Sequence, residues 1–561
     1  MSTKSPDATE PVAAPGSVGT VAAARPEDAA TTDRGGFWRG WGGLLSAPPG
    51  TPWHRHPRTG IALILASTAL TLFIGFLGPS VATLTLGPRD GSLLPPWYLP
   101  GLLKPNPWLI AALGWSLIIM GAVGTWILLR AIAVGWRPNN KKLFIGAVGL
   151  NVATVLVPPM TSADVLMYAA YGRLAKLGFD PYVDSPAEVF RMQWDEVIRW
   201  TERPWQDTVN VYGPLIYWMQ WAANMLGGDN MHDIVFFLQV FCCLFFIGAC
   251  AVVVWIARGN PGLQTRTIVW TIGSPVMIWA VVAGAHNEAV SIFFAMLAYL
   301  TIRKYPLLTG LLVGVACTGK ATVGLFGVAM AWAYRREIKK FLLFMVGAAV
   351  PNVIVYIILY PAALELAAKN ASYVAGSSWV HPVRRLLEPF MDFDVVSSVV
   401  SVLAWGSAIL IGWMLSRVLP WRPLPGGPDG VGPERDPLVI SVRTTVVIAA
   451  AWVITSAYSL PWYDLIYFLP VALLGATKLD LIALWRVAVL NLAYVLGRVI
   501  SYSPLMQQTN TRIREVFSTS VSIGVIVAVI LWWHEHGLKV GSHTRAPRAG
   551  DETDEPAVAS S

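Results

Sequence analysis

The 561-residue chain carries little charge, since Asp, Glu, Lys and Arg make up only 13% of it, against about 25% in a typical soluble protein. This scarcity excludes an ordinary soluble protein and a disordered one. Apolar residues make up 55% of the chain, and apolar stretches of about 20 residues recur, as in polytopic membrane proteins. The 26 Trp residues fit the same class, because indole rings favour the membrane–water boundary. The sequence therefore predicts an all-α protein that crosses a membrane many times.

Cysteine is scarce, and several familiar motifs are absent. All four cysteines lie in apolar stretches, which predicts small core residues rather than disulfides or a cysteine-based metal site. The sequence has no Walker loop, GxGxxG, GxSxG, HExxH or CxxC pattern, which argues against a nucleotide-sugar enzyme on a soluble fold. We assign the net charge of +8 to cytoplasmic loops, and we predict no nucleic-acid partner.

The composition of both ends of the chain predicts polar tails. Residues 1–36 are rich in Ala, Pro, Thr and Ser and are predicted to be a disordered cytoplasmic tail without a cleaved signal peptide. Residues 541–561 are predicted to be a second disordered cytoplasmic tail. The transmembrane body is then residues 37–540.

Basic residues at one end of most apolar segments place that end in the cytoplasm. The segment 306–334 is basic at both flanks, so the chain must go out and return within it. Each arm spans about 20 Å of helix, short of a hydrocarbon core of roughly 30 Å, which predicts a short re-entrant-like hairpin with Lys320 at its tip. Counting its arms separately predicts about 14 membrane segments, at 60–78, 108–134, 143–160, 231–257, 268–284, 289–302, 306–334, 341–360, 394–419, 440–458, 463–477, 481–498 and 516–533.

Two long outer loops follow from this topology, at 161–230 and 361–393. Residues 164–178 of the first loop have helical periodicity and predict an interfacial helix, with its apolar side in lipid or in protein. Asp164, Tyr168 and Tyr171 fall at i, i+4 and i+7, on one stripe of that helix. The stripe begins with a carboxylate where the third span leaves the membrane.

Two acidic positions could carry chemistry. Asp164 could be a helix N-terminal acid stabilised by the dipole, or a general base that takes the proton of a sugar hydroxyl. His286, Asn287 and Glu288 are three adjacent polar residues between apolar spans. They could be a short interfacial turn, or a site for sugar hydroxyls with a second carboxylate. One histidine and a few acids are a weak metal signal, so we predict no metal site and leave metal dependence open.

Two further positions could bind a lipid phosphate and a sugar. Lys320 would lie within the membrane, where an ammonium is unfavourable unless an anion such as phosphate meets it. Snorkelling to the surface is the alternative. The aromatic pair Trp462 and Tyr463 could stack on a sugar or anchor a helix at the interface. Secondary candidates for the phosphate are the outer-loop arginines Arg384, Arg385, Arg498, Arg512 and Arg514.

Several short motifs occur in an order that resembles one enzyme family. They are Ser162-Ala163-Asp164, Tyr168 through Leu174, Gly178-Phe179-Asp180-Pro181-Tyr182, Tyr212-Gly213-Pro214, His286-Asn287-Glu288, Lys320-Ala321-Thr322 and Leu460-Pro461-Trp462-Tyr463. In this order they resemble the actinobacterial polyprenol-phosphomannose-dependent α-1,6-mannosyltransferases, membrane glycosyltransferases of the GT-C class. The resemblance covers roughly residues 100–533.

The resemblance implies a GT-C fold and an inverting reaction at the outer face of the plasma membrane. The donor would be a polyprenyl-phosphate mannose, and the acceptor a lipid-anchored mannan of the lipomannan type. The resemblance implies that Asp164 is the base, that Glu288 assists, and that Lys320 binds the donor phosphate. It implies a sugar site formed by His286, Asn287, Tyr168, Tyr171, Tyr212, Trp462 and Tyr463.

The sequence departs from the family pattern after Asp164, where Val165, Leu166 and Met167 replace an expected aromatic, and at Asp464 after the Leu-Pro-Trp-Tyr element. These departures leave the linkage and product open. A GT-C enzyme with another acceptor or sugar is the alternative, and a lipid or polysaccharide transporter is a more distant one. A transporter predicts two superimposable halves, but the sequence shows no clear internal repeat.

Overall fold

The computed structural model describes residues 44–46, 50–89, 91–99, 104–202, 205–369, 374–498 and 502–543, all within one compact unit, Gly43–Ser561. The predicted tail at 1–36, and residues 544–561 of the other predicted tail, lie outside the described residues. The predicted all-α class is confirmed, since the described residues contain helices and a single isolated β-bridge, between Thr83 and Met160.

The α-helices follow one another in this order. The first half of the chain contains α1 Pro57–Phe76, α2 Pro107–Ala133, α3 Asn140–Val155, α4 Asp164–Lys176, α5 Pro186–Met192, α6 Pro214–Gly227, α7 Met231–Ile256, α8 Pro261–Trp270, α9 Pro275–Met277 and α10 Glu288–Thr301. The second half contains α11 Pro306–Cys317, α12 Gly324–Tyr334, α13 Ile338–Asn352, α14 Pro361–Lys369, α15 His381–Leu387, α16 Phe393–Val418, α17 Pro437–Thr455, α18 Leu465–Val471, α19 Lys478–Tyr494, α20 Pro504–Thr511 and α21 Ser518–His543.

Shorter helical turns connect these elements. The 3₁₀ turns are Trp53–Arg55, Ile198–Trp200, Trp205–Asp207, Ala321–Val323, Pro461–Asp464 and Ala472–Leu474, and the π-helical stretches are Ile278–Ala283, Val353–Leu359 and Arg512–Phe517. π-Helical turns within helical segments often occur at functional sites. The first of these stretches leads directly into the His286 turn.

Proline and small polar residues explain where many helices begin. Proline is the first residue of α1, α2, α6, α8, α11 and α17 among others, where its missing N–H is not needed and its fixed φ suits the helix. The side chains of Asn106, Asn139, Asn230 and Asp436 accept backbone N–H bonds at the starts of α2, α3, α7 and α17. Capping by Asn and Asp satisfies N–H groups that have no partner within the helix.

Most predicted spans correspond to helices whose ends differ by a few residues. The helical segment that contains 268–284 begins earlier, at Pro261, and the one that contains 516–533 begins at Pro504. Eight helical segments of the described chain are long and apolar enough to cross a membrane. Several predicted spans are shorter apolar helices instead, among them α10, α11 and the segments 321–334 and 461–474. The chain is therefore a polytopic helical membrane protein, while the count of about 14 segments and the re-entrant course of 306–334 stay predictions.

Close packing of backbones holds the hairpin arm α11 against α13. A Cβ added at Gly310 would lie 2.1 Å from the carbonyl oxygen of Phe344, and one added at Gly347 would lie 2.3 Å from that of Leu307. Glycines on facing helices permit this approach in membrane proteins. The contact fixes the arm that ends at Lys320.

The predicted interfacial helix is present as α4, but protein surrounds it. All ten residues from Val165 to Leu174 are buried, and α4 packs on α6 and α7. Its stripe of Asp164, Tyr168 and Tyr171 therefore faces other parts of the protein. This explains why the helix carries apolar residues on more than one side.

Candidate active site

A cavity of about 610 Å³ lies between the segment 161–230, which is predicted to be an outer loop, the turn at Gly319 and Lys320, and the Leu-Pro-Trp-Tyr turn. Its volume is within the range of ligand pockets, about 300–1,000 Å³. Of the predicted site residues, Asp164, Lys320, Tyr171, Tyr212, Trp462 and Tyr463 line its wall. Residues from segments more than 200 positions apart therefore meet at one cavity.

A constrained loop presents Asp164 to the cavity. Thr161 has φ 78°, which is unusual for a residue with a side chain, and its N–H donates to the carbonyl of Ala82 at 2.9 Å. The N–H of Met160 donates to the carbonyl of Ala283 at 2.8 Å. The Asp164 N–H then donates to the Ser162 hydroxyl at 3.2 Å. Strained backbone of this kind persists where its surroundings hold it, so the carboxylate occupies a fixed position.

The environment of Asp164 raises the pKa of its carboxyl group to about 6. Burial is the largest cause, because it disfavours the charged form, and the charge of Glu288 raises the pKa further. The hydrogen bond with Ser162 and the charge of Lys320 act in the opposite direction. Such a carboxyl group can accept a proton near neutral pH, as a general base requires.

His286 lies between Asp164 and Trp462. Its ring stacks on the Trp462 indole with 3.4 Å between centroids and 14° between planes, and its Nδ1 lies 3.8 Å from Asp164 Oδ2. Burial, and then the charge of Lys320, lower the pKa of His286 well below its usual value, so the ring is neutral. Neither ring nitrogen has a hydrogen-bond partner among the described residues. His286 is fully buried and does not itself line the cavity.

Lys320 pairs with the second carboxylate. Its Nζ donates to Glu288 Oε1 and lies 3.9 Å from the centroid of the Tyr463 ring. Glu288 is buried, and its Oε2 has no hydrogen-bond partner among the described residues. The ammonium thus meets an anion and an aromatic face, both of which stabilise a cation away from water.

Two glycines bring the Tyr212 segment against the hairpin tip. The N–H of Gly213 donates to the carbonyl of Gly319 at 3.0 Å, and a Cβ on Gly213 would lie 2.2 Å from the carbonyl oxygen of Thr318. A Cβ on Gly319 would lie 2.2 Å from the hydroxyl oxygen of Ser291. Only residues without side chains fit here, so the Tyr-Gly-Pro and Gly-Lys elements interlock.

The predicted tyrosines form one edge of the site. The Tyr212 hydroxyl lies 3.4 Å from that of Tyr168, and the two rings meet edge to face at 5.1 Å. The Tyr171 hydroxyl donates to the carbonyl of Thr208 at 3.0 Å. Tyr168 lies behind Tyr212, whereas Tyr212 and Tyr171 reach the cavity. Asn287 is fully buried beside the site and does not line it.

The predicted arginines do not line the cavity. Arg384 donates to Glu388 at 2.7 Å, and Arg385 lies 3.3 Å from Glu515. Arg498 pairs with Glu202 and donates to the carbonyls of Ser80 and Thr83. Arg498 therefore contacts the segment 80–83, and Thr83 of that segment pairs with Met160. Since Met160 lies shortly before Asp164, Arg498 supports the position of Asp164 indirectly.

The secondary arginines, Arg512 and Arg514, lie in the π-helical stretch Arg512–Phe517. Arg514 donates to the carbonyl of Ala493 at 3.0 Å and lies over the Tyr494 ring at 4.5 Å. Neither residue lines the cavity. Within the described residues Lys320 is therefore the cation that lines this cavity.

Sequence reasoning missed a buried ion pair behind the aromatic turn. Asp464 pairs with Arg486, and it accepts a hydrogen bond from the Tyr467 hydroxyl at 2.9 Å. Arg486 also donates to Ser459 Oγ at 2.6 Å and to the Val453 carbonyl at 3.0 Å. The unusual Asp464 thus fixes the turn that carries Trp462 and Tyr463. An arginine in the middle of an apolar helix was the available signal.

Trp205 and Thr208 were also missed. Both line the cavity, and they lie in a loop of the chain that has no apolar periodicity. Among the described residues no group of three or more His, Cys, Asp or Glu side chains is arranged to hold a metal ion. The groups that the site offers are one carboxyl group with a raised pKa, one ammonium paired with a carboxylate, and an aromatic wall.

The fold and this cavity define a polytopic helical membrane protein with a carboxylate and a lysine facing one buried site. Residues 73–336 match the family model described as "Alpha-(1->6)-mannopyranosyltransferase, N-terminal domain". This match contains eight of the predicted site residues: Asp164, Tyr168, Tyr171, Tyr212, His286, Asn287, Glu288 and Lys320. The resemblance predicted from the motifs is therefore confirmed.

Curated proteins give the same result. The "Probable alpha-(1->6)-mannopyranosyltransferase" of Mycolicibacterium smegmatis is 28% identical over 233 residues, which is 40% of this chain and 39% of that protein. The "Alpha-(1->6)-mannopyranosyltransferase A" of Corynebacterium glutamicum is 23% identical over 312 residues, which is 50% of this chain and 61% of that protein. An α-(1→6)-mannopyranosyltransferase of Mycobacterium tuberculosis is 30% identical over 148 residues, 24% of this chain and 23% of that protein. The matches thus span from about a quarter to three fifths of the length of these relatives. No solved structure matches the chain.

Proposed function

We propose that the chain is an inverting mannosyltransferase that moves mannose from a polyprenyl-phosphate-mannose donor to a lipid-anchored mannan acceptor, forming an α-1,6 linkage. The observation that carries this proposal is that Asp164, which follows a constrained loop, and Lys320 line the same cavity. The names of the relatives support the sugar and the linkage. The active site would face the outer side of the plasma membrane.

The wall around Lys320 supports a lipid-linked donor. Beyond the hairpin tip the cavity is lined by apolar residues of α12 and α16, including Leu325, Val328, Ala404 and Trp405. Val328 and Trp405 are also 59% and 60% exposed on membrane helices, so this side of the cavity opens towards lipid. An isoprenoid chain can lie there while its phosphate reaches Lys320, whose compact charge suits phosphate oxygens.

Each residue then has a role in one displacement. Asp164 takes the proton of the acceptor hydroxyl as its oxygen attacks the anomeric carbon. The bond from that carbon to the phosphate oxygen breaks, and Lys320 stabilises the charge that develops on the leaving phosphate. Glu288 holds Lys320 in place, while Trp462, Tyr463 and Tyr212 provide surfaces for the sugar ring. The β-linked mannosyl phosphate becomes an α-glycoside, as a single displacement requires.

The base is tested with Asp164→Asn in purified protein reconstituted in nanodiscs. We expect transfer of labelled mannose from the polyprenyl donor to a mannan acceptor to fall by at least ~10²-fold, as for other lost general bases. Binding of the donor should be retained, because Lys320 is unchanged. The assay measures labelled product, and a separate equilibrium measurement gives donor affinity.

Glu196→Gln is the matched control. Glu196 is a half-exposed carboxylate of the same outer loop that pairs with Arg199 and does not line the cavity. We expect this variant to retain wild-type transfer. Near-normal transfer by the Asp164 variant would refute the assigned base, and transfer of a different sugar by the wild type would refute the donor.

A further inference from the structure

His286 lies behind the cavity, next to two residues that line it. Its ring stacks on Trp462, and its Nδ1 lies 3.8 Å from Asp164 Oδ2. Asp164 and Trp462 both line the cavity, whereas His286 is fully buried and does not. Any effect of the imidazole on the reaction must therefore pass through its two neighbours.

The turn that carries His286 has an unusual backbone. The π-helical stretch Ile278–Ala283 ends three residues before it. Ala285 has φ 51°, a left-handed conformation that residues with a side chain rarely adopt. The N–H of His286 donates to the carbonyl of Val281 at 2.9 Å. Strained backbone persists where its surroundings hold it, and it occurs often at functional sites, so the turn fixes the direction in which the His286 side chain leaves the backbone.

The space for the imidazole depends on Gly284. A Cβ added at this position would lie 2.5 Å from Cδ2 and 2.8 Å from Nε2 of His286, which is closer than van der Waals contact allows. Gly284 has φ −81°, an ordinary helical value. The position therefore requires glycine because of its missing side chain and not because of its φ. A larger residue here would push the imidazole out of its place.

The same turn is joined to the loop that carries the base. The N–H of Met160 donates to the carbonyl of Ala283 at 2.8 Å. Met160 lies four residues before Asp164, and Ala283 lies three residues before His286. Each turn contains a residue of positive φ. Two strained turns thus meet through one hydrogen bond, and they present a carboxylate and an imidazole to each other.

The chemistry of the pair determines which atom carries the proton. An ionised carboxylate only accepts hydrogen bonds, and a neutral imidazole carries a single N–H. His286 is neutral because burial disfavours its charged form. A proton on Nδ1 therefore lets the ring donate to the ionised Asp164. The separation of 3.8 Å is long for a hydrogen bond, as is common at catalytic groups before the substrate binds.

Other titratable groups lie around the two side chains. Glu288 and Lys320 act on Asp164 through their charges, and Lys320 also acts on His286. The remaining groups are the Cys242 thiol, which donates to the carbonyl of Ala285 at 3.3 Å, and the phenols of Tyr168, Tyr212, Tyr463 and Tyr494. An ordinary tyrosine loses its proton only near pH 10, and an ordinary cysteine near pH 8.5. All of these groups are unchanged in the variants compared below, so a difference between those variants is due to the imidazole.

We infer that His286 is the positioning residue of the base: its Nδ1–H holds and stabilises the ionised carboxylate of Asp164, while Trp462 keeps the ring in place. The resemblance in the motifs implied a sugar-binding role for His286, and this inference replaces that role with an action on the base. It rests on the proposed function for the role of Asp164.

The test measures the ionisation of Asp164 directly. Infrared difference spectra of the protein in nanodiscs, recorded from pH 4.5 to pH 8, contain the carbonyl band of protonated carboxyl groups. Subtraction of the spectra of Asp164→Asn isolates the contribution of Asp164. His286→Phe keeps a ring that can stack on Trp462 but has no N–H. We expect it to raise the midpoint of the titration by about one pH unit, since a hydrogen bond to an ionised group favours the charged form. The acidic limb of kcat/KM should move with it.

Two further variants separate the N–H from the ring. His286→Gln keeps an N–H donor and loses the ring, so its midpoint should stay near that of the wild type. Gly284→Ala keeps every titratable group and displaces the imidazole through the close contact of its Cβ, so its midpoint should rise as in His286→Phe. It carries the test if His286→Phe does not fold, as judged by size-exclusion chromatography. A merely structural role predicts the opposite order, because Phe replaces the stacked ring better than Gln does.

His381→Phe is the matched control. Its Nε2 lies 3.7 Å from Glu515 Oε2, so it removes an imidazole from a similar pair with a carboxylate. Neither residue of this pair lines the cavity. We expect the midpoint of Asp164 to be the same in this variant as in the wild type.

The outcomes separate the contact from the reaction. An unchanged or lower midpoint in the folded His286→Phe or Gly284→Ala protein would overturn the inference and leave the proposed function standing. A rise in His286→Gln as large as that in His286→Phe would also overturn it, because the N–H would then not be the cause. If the midpoints move as expected but the wild type transfers no mannose from the polyprenyl donor, the contact between His286 and Asp164 stands and the proposed function fails.

Discussion

The pKa of Asp164 gives the proposed reaction a measurable pH dependence. A base must be ionised to accept a proton, so activity should increase with pH through the pKa of the free protein. With a pKa of about 6, about 9% of the carboxyl groups are ionised at pH 5 and about 91% at pH 7. The rate constant kcat/KM should therefore fall about tenfold between pH 7 and pH 5.

If Asp164 had the usual pKa of an aspartate, the dependence of the rate on pH would be different. At its usual pKa of about 3.9 the carboxyl group would be more than ~90% ionised at pH 5, and the rate would hardly change over this range. The assay measures initial rates of labelled transfer at subsaturating acceptor from pH 4.5 to pH 8, with protein integrity checked by size-exclusion chromatography at each pH. An acidic limb with its midpoint near pH 4 would refute the argument that burial raises this pKa.

Ser162→Ala sharpens the test. The hydrogen bond from Ser162 lowers the pKa of Asp164, so its removal should move the midpoint of the acidic limb to higher pH. The ordinary control is Ser398→Ala on α16, whose hydroxyl bonds to its own helix at the Asp394 carbonyl. An unchanged midpoint in Ser162→Ala, or an equal shift in both variants, would contradict the assignment of the limb to Asp164.

Two further substitutions test the supports of the site. Lys320→Ala should weaken the equilibrium binding of polyprenyl phosphate, while Lys320→Arg retains part of it; unchanged affinity in Lys320→Ala would move the phosphate site elsewhere. Asp464→Asn leaves Arg486 buried without its anion, which should destabilise the protein by about 3–5 kcal/mol and lower its Tm. The double variant Asp464→Leu with Arg486→Met should recover most of that stability, and a Tm as low as that of the single variant would contradict this reasoning.

Much of the fold was predictable from hydropathy and helix signals. A run such as 231–257 is apolar and about as long as a membrane is thick, and the structure has Met231–Ile256 there. Proline marks the start of α17 at Pro437, three residues before the predicted start of that span. Segments interrupted by π-helical turns, such as 268–284, were harder to delimit, because local hydrophobicity does not report a change of helix type.

Those residues of the candidate site were predictable that are polar or charged but lie in or beside apolar segments. Asp164, Glu288 and Lys320 stood out because charges in or beside apolar segments need partners. What the sequence could not predict was which charge meets which. Lys320 pairs with Glu288, 32 positions away, and Arg498 pairs with Glu202, 296 positions away. Arg498 was predicted to bind phosphate, yet its donors already contact Glu202 and backbone carbonyls, a result that depends on how distant segments pack.

The arrangement of charges also explains why the site has two carboxylates and one lysine. Glu288 and Lys320 form a pair with no net charge, and His286 is neutral, so the ionised Asp164 and the donor phosphodiester would each contribute one negative charge. In the proposed reaction Asp164 would become neutral as it gains the acceptor proton, while the leaving phosphate would gain one negative charge. The net charge of the cavity would then stay constant. A change of net charge is unfavourable in a buried site. A reaction in which the base loses one negative charge while the leaving phosphate gains one avoids that change.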